Sequence, residues 1–370
     1  MNTATDKRIV ATLDAGGTNF AFSAVQGNEE IIEPIILPAQ PNDLNQCLKT
    51  IEDGFQQVWD KIPASLSAIS FAFPGPADYP NGIIGDLGNL PAFRGGVALG
   101  PALQKQFQIP VYINNDGDLF AYGEAIAGLL PEINKMLEKA GNPKRFRNLL
   151  GVTLGTGFGC GIVRDGELFS GDNAAAGEIW LTRHKQQHDC FAEEGVSARA
   201  VKREYARMAN LNIDDCPEPD GIYEIAIEKK SGNIHAARET FRLLGIIMGE
   251  ALANAISLID GIVVIGGGIS HAHKLIMPSV MNELNGTIQS INGKKRSRLV
   301  SRAFNLEEQE SRKAFCTGEM REIQIPGSDT MISYDPLQRI GIGVSKLGAN
   351  RAVSIGAYAF ALNQLDKHRN

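Results

Sequence analysis

IVATLDAGGTNFAFSAV, residues Ile9 to Val25, decides how the chain is read. An apolar run rich in β-branched residues (Arg8–Leu13) is closed by Asp14-Ala15-Gly16-Gly17-Thr18, and Phe20–Val25 resumes it, which predicts a β-hairpin about a glycine turn. The order returns at Leu149, where LLGVTL runs into Gly155-Thr156-Gly157-Phe158-Gly159 and continues through Gly161-Ile162-Val163 to a polar turn at Arg164-Asp165-Gly166. A shared order of strand, Gly/Thr turn, strand and polar turn suggests a duplicated lobe, although two short matches do not establish one. A third apolar strand, Gly261–Ile265, ends on Gly266-Gly267-Gly268. Around these, Leu48, Ile51, Phe55 and Val58 mark a helix within Asn45–Trp59, and Ala68–Phe73 and Val111–Ile113 read as buried strands. Helices are expected at Leu119–Leu130, His235–Ile259 and Arg351–Leu365. Strands alternating with helices mean an α/β fold, and Asp116 then falls at a strand end, where such folds place ligand chemistry.

Composition narrows the function. The chain has 370 residues, 43% hydrophobic and 21% charged, an ordinary globular mix with room for two cores at roughly 100–200 residues per domain. The net charge of −6 argues against nucleic acid or an anionic membrane as the main partner. The five cysteines lack C-x-x-C spacing, so neither a disulfide framework nor a standard zinc cluster is indicated. The short polar start carries no secretory pattern, and Leu243–Ile269 is interrupted by Glu250, Asn254 and Asp260. A cytoplasmic protein with no membrane span is expected. Glycine, at 40 residues, exceeds the usual ~7%, and the excess gathers in the three turns.

Three glycine turns after apolar strands suit a phosphate cradle, because glycine lets successive backbone N–H groups converge on an anion. Neither G-x-x-x-x-G-K-[ST] nor a G-x-G-x-x-G leading into a helix is present, which disfavours P-loop and ordinary dinucleotide-binding enzymes. Taken in order, LDAGGTN, INNDGD, LGTGFGCG with a later AGE, and VVIGGGIS resemble the ROK family of the actin-like ATPase superfamily. The resemblance covers nearly the whole chain outside Asn292–Leu347. It implies two actin-like (ribonuclease H-like) α/β lobes with an interlobe cleft: a small lobe of residues 1–118 plus 350–370, and a large lobe of 119–349 with an irregular insertion at about 292–347. It implies ATP with Mg2+, and a hexose.

Carried over residue by residue, Asp14, Gly16, Gly17, Thr18 and Asn19 match the first phosphate motif, with Asp14 near the metal. Gly155, Thr156 and Gly157 match the second phosphate motif, and Gly266, Gly267 and Gly268 the adenosine motif. Asp116, after Asn115, matches the catalytic base. For the sugar, Asn89 of Gly88-Asn89-Leu90-Pro91, Asn115, Glu178 of Ala176-Gly177-Glu178, and Glu193 four residues before Ser197 are the matching positions, with Glu194 as the neighbouring alternative. Two departures stand out. The family's G-E-x-G-H histidine is Leu181 here, which puts the identity of the sugar in doubt. The Cys-rich zinc segment is missing as well, and His184, His188 and Cys190 alone make a poor structural zinc set, so no zinc site is expected. The resemblance implies an ATP-dependent hexose kinase, with ATP and a small sugar as partners, and allows a homodimer. The alternative is a non-catalytic sugar sensor of the same family; a DNA-binding repressor is disfavoured because no helix-turn-helix precedes the first motif.

Overall fold

The computed structural model describes residues 2–16, 18–62, 64–87 and 90–367. The chain divides into two compact units, residues 1–128, 161–177 and 347–370 in one and 129–160 and 178–346 in the other.

In the first unit the quoted stretch is the predicted hairpin. β1 (Val10–Ala15) pairs antiparallel with β2 (Asn19–Gln26) in a register from Val10↔Val25 to Ala15↔Phe20. β3 (Glu29–Glu30) and β4 (Ile35–Pro38) pair with β2, while β5 (Ala68–Ala72) and β6 (Val111–Asn114) extend the other edge in parallel, giving the order β3-β2-β1-β5-β6. β1 is buried on both faces because alternate residues serve two cores. Ile9, Ala11 and Leu13 join Phe22, Ile51, Phe55 and Phe71 under α1 (Leu44–Lys61) and α2 (Leu99–Phe107). Val10 joins Tyr358, Ala361 and Leu362 of the C-terminal helix, Ala349–Lys367. Asp43 caps α1 by accepting the Gln46 N–H. α3 (Asp116–Ala127) lies against the C-terminal helix with no room between them: a Cβ on Gly123 would meet the Ala352 carbonyl oxygen, and one on Gly356 the Leu119 carbonyl oxygen.

A second sheet repeats the scheme. β7 (Leu149–Leu154), β8 (Phe158–Arg164) and β9 (Glu167–Leu168) are followed in parallel by β10 (Ile262–Gly266), which pairs with β7. The order is β9-β8-β7-β10-β12-β11, with β11 (Arg302–Asn305) and β12 (Arg339–Val344) at the far edge. The same succession of a hairpin and then parallel neighbours opens both sheets, as the paired turns suggested. In the second unit α4 (Leu129–Lys139), α5 (Ala198–Ala209), α6 (Pro219–Ala226), α7 (Ile234–Ile259), α8 (His273–Leu284) and α9 (Gln309–Thr317) complete the described helices. By length and composition α7 could cross a membrane, but its buried face packs on α8, α6 and α5.

Three sequence expectations need revision. Leu119–Leu130 is not one helix: α3 stops at Gly128, and α4 begins anew with Leu129, Leu130, Ile133 and Leu137 buried. The stretch at 292–347, expected to be an irregular insertion, supplies two strands of the second sheet. Short runs broken by arginine and glycine, RAFN and RIGIGV, hid them, yet β12 is buried along most of its length. Only the hairpins Thr287–Gln289/Lys295–Ser297 and Arg321–Gln324/Met331–Tyr334 stand off as fully exposed ribbons. The boundary drawn from sequence at 118 cuts α3, which the compact unit keeps whole through residue 128 together with 161–177.

Candidate active site

Strand register brings two aspartates of the first unit, Asp14 and Asp116, to the same end of the sheet. Asp14 is level with Ala72 on β5, and Ala72 with Asn114 on β6, so Asp14 and the Asn114-Asn115-Asp116 turn leave the sheet together at the ends of parallel strands. Asn115 caps α3, its Oδ1 accepting the Gly117 N–H at 2.8 Å, and the same N–H reaches Asp116 Oδ1 at 2.8 Å. Asn115 Nδ2 in turn lies 3.5 Å from the Tyr79 hydroxyl, which donates to the Phe73 carbonyl. Asp116 is thus an exposed carboxylate on a fixed helix start. Asp14 keeps solvent access, yet desolvation, and then the negative charge of Asp116, push its carboxyl above the ordinary carboxylate value. Thr18 and Asn19 continue the same turn, with the Thr18 carbonyl accepting the Ala39 N–H at 2.9 Å. Gly17 and Asn89 lie outside the described residues.

In the second unit the two other glycine turns stand side by side, because Gly266 at the end of β10 is level with Thr153 near the end of β7. Gly267 adopts φ +86°, and its α-carbon backs onto Leu154 so closely that only glycine fits. By contrast, nothing lies within 4 Å of where a side chain would begin on Gly155 or Gly268. Gly155 and Gly268 are therefore open backbone, with the exposed Thr156 hydroxyl beside Gly155.

The sugar-position carboxylates differ in setting. Glu178, exposed, accepts the Trp180 indole N–H, and Trp180 packs edge-on against Phe191 with centroids 5.6 Å apart. Glu193 reaches the second glycine turn: Oε2 accepts the Phe158 N–H at 3.0 Å, and a Cβ on Gly157 would sit 2.7 Å from that oxygen. Its Oε1 takes Arg199 at 2.9 Å, and its carbonyl accepts the Ser197 hydroxyl at 2.8 Å. Glu194 is held instead by Arg203 at 2.6 Å and Arg199 at 2.7 Å, which keep its carboxyl below the ordinary value. The bond from Glu193 to Phe158, and the arginine behind it, were not legible in the sequence, since a six-residue spacing is not the three or four that pairs side chains on a helix. Leu181, at the position where the resemblance has a histidine, is 57% exposed and offers an apolar surface there. Among the described residues no three His, Cys, Asp or Glu side chains are grouped to hold a metal, and His184 Nδ1 already accepts the N–H groups of Gln186 and Gln187.

The sequence profile of the ROK family matches residues 10–307. The chain belongs to the ROK family. A solved relative, a glucokinase from Parabacteroides distasonis, is 52% identical and superposes with a TM-score of 0.90 over 98% of this chain and 99% of its own. An N-acetyl-D-glucosamine kinase from Photobacterium profundum is 27% identical over 277 residues, 70% of this chain and 83% of its own. A glucokinase from Halalkalibacterium halodurans is 25% identical over 291 residues, 72% and 82% of the two chains. The ROK chain has the actin-like α/β fold of these sugar kinases in its two units.

Proposed function

We propose that the protein is an ATP-dependent kinase that moves the γ-phosphoryl group of ATP to a hydroxyl of a hexose, with Asp116 as general base. The observation that carries this is the pairing of Asp14 and Asp116 at one end of the sheet, one carboxylate resisting ionisation beside the other. Phosphoryl transfer asks little covalent chemistry of a protein, mainly alignment, neutralisation of charge and a group to take the proton of the attacking hydroxyl. Asp116 accepts that proton as the hydroxyl oxygen bonds to the γ-phosphorus and the bond to the β-phosphate oxygen breaks, releasing ADP. Two oxygen-donor carboxylates close enough to repel each other fit a hard divalent cation such as Mg2+, with Asp14 the side chain that would face it. When bound, the cation would neutralise charge on the transferring phosphate. The turns at Gly155–Gly157 and Gly266–Gly268, open at Gly155 and Gly268, suit ATP, the first presenting uncluttered backbone and the exposed Thr156 to phosphate and the second close backbone approach to the nucleoside.

Glu178 and Glu193 are assigned to the sugar hydroxyls, which both donate and accept. The kinship with glucokinases and an N-acetylglucosamine kinase supports a hexose or N-acetylhexosamine, while the apolar Leu181 favours an acceptor with an apolar substituent or bare ring face at that position. The test is ATP-dependent phosphorylation over a panel of hexoses, N-acetylhexosamines and ketohexoses, wild type against Asp116→Asn. Turnover of one sugar that collapses in the variant is expected. Sugar binding by calorimetry without turnover on any sugar would replace the kinase with a sensor.

A further inference from the structure

Between Glu178 and Glu193 the chain forms a narrow loop. Its arms are tied by the Ala192 N–H to the Thr182 carbonyl at 2.7 Å, by the His184 N–H to the Cys190 carbonyl at 2.9 Å, and by an antiparallel bridge between Arg183 and Phe191. At its centre is His184, only 4% exposed, whose Nδ1 accepts the N–H groups of Gln186 at 3.2 Å and Gln187 at 3.0 Å. An imidazole accepting at Nδ1 is neutral and carries its proton on Nε2. The loop then delivers Glu193, through the turn Ala192–Glu194, onto the Phe158 N–H of the second glycine turn.

We propose that neutral His184 is a positioning residue: by accepting two backbone N–H groups it pins the 182–192 loop, and the pinned loop holds Glu193 against the second glycine turn. A proton on Nδ1 removes both acceptor bonds at once and turns a donor toward two donors. The charged and titratable groups facing the ring are Arg203 and Glu204 of α5, Glu194 of the adjoining turn and His188 of the loop itself. Burial is the largest influence, with Arg203 next, and both disfavour the imidazolium, while Glu204 and Glu194 pull the other way and leave the net direction downward. The ring borders a cavity of about 150 Å³ shared with Glu194, Glu204 and Arg207, which gives a proton a route to it. Because the folded state disfavours the proton, the pinning is complete above the ordinary imidazole value near 6.5, weakens below it, and is lost only as pH falls through the lower value of the folded protein.

That sugar affinity follows the loop rests on the kinase reading; that the loop holds Glu193 does not. The experiment therefore has a readout free of turnover. In protein labelled with 15N-histidine, His184 should show an unprotonated Nδ1 and a protonated Nε2 at pH 7.5. His184→Leu should speed amide exchange at Gln186, Gln187 and Phe158 by tenfold or more, whereas His184→Asn, whose side-chain oxygen can take the place of Nδ1, should restore protection and remove its pH dependence between pH 5 and 7. In the kinase assay the leucine variant should raise KM for the sugar several-fold with a smaller change in kcat. Phe158 protection that is the same in wild type and His184→Leu would overturn the proposal, as would an asparagine variant no better protected than the leucine one. Exchange as expected with no kinase activity would leave the positioning role intact and remove the catalytic reading instead.

Discussion

Replacing Gly356 by alanine sets two local effects against each other. Intrinsic helix propensity favours alanine over glycine by roughly 1 kcal/mol, so an isolated helix would gain. At Gly356, however, the new Cβ would fall well inside 3.0 Å of the Leu119 carbonyl oxygen, a separation that real Cβ atoms essentially never show, and the obstacle is backbone of α3 rather than a mobile side chain. The helices must separate, loosening Tyr358 and Leu362 in the core above β1 and Leu119 and Ala357 near β5. Overpacking of this kind costs about 1–3 kcal/mol, and a backbone obstacle places the cost at the upper end, for a net loss of about 2 kcal/mol. For a unit of this size that lowers Tm by roughly 4–8 °C. Gly123→Ala meets the reciprocal obstacle at Ala352 and should behave alike. Because the first substitution already opens the gap that the second needs, the double variant should lose less than the sum. Calorimetric unfolding of the three variants decides the matter. A Tm at or above wild type for Gly356→Ala would show that propensity governs and that the close crossing of α3 and the C-terminal helix is not as described.

Three further outcomes are expected. Asp335, where burial opposes ionisation but hydrogen bonds from Asn142, the Glu319 and Leu337 amides and Arg339 outweigh it, is held well below the usual carboxylate range. Asp335→Ala, which strands the buried Arg339, should cost about 3–5 kcal/mol in urea unfolding, and in wild type the contribution should be full above pH 4 and fall away as pH drops below it. Asp14→Asn should raise Tm at pH 7 by removing a charge that burial, and then Asp116, disfavour, while abolishing turnover; since Asp14's pKa is raised, the gain in Tm should shrink as pH falls through the carboxylate range, and a lower Tm at pH 7 would contradict this. Because Trp180 donates to Glu178, an accepted sugar should change indole emission, and the change should vanish in Trp180→Phe, leaving Trp59, which stacks on Phe107.

What the sequence made legible was local. The hairpin at Ile9–Val25, the glycine turns and the position of Asp116 all follow from short runs whose period and turn chemistry agree. What it hid depended on distance. The register that puts Asp14 level with Asn114 arises from pairing across a third strand, β5. The acceptor for the Phe158 N–H lies 35 residues further on. Nothing in the HKQQH segment distinguishes a histidine that accepts backbone N–H groups from one that binds metal, because the partners are main-chain atoms that every residue carries. The strands β11 and β12 escaped notice for a similar reason: their arginines read as surface, yet Arg339 is buried against Asp335 and over the Phe315 ring.

The central claim is that Asp116 takes the proton of the attacking hydroxyl. The most direct test is kcat for Asp116→Asn on the best accepted sugar, measured alongside calorimetric affinities for sugar and nucleotide. General-base catalysis predicts a fall of at least ~10²-fold in kcat with both affinities nearly unchanged. A kcat within a few-fold of wild type would contradict it and move the base elsewhere.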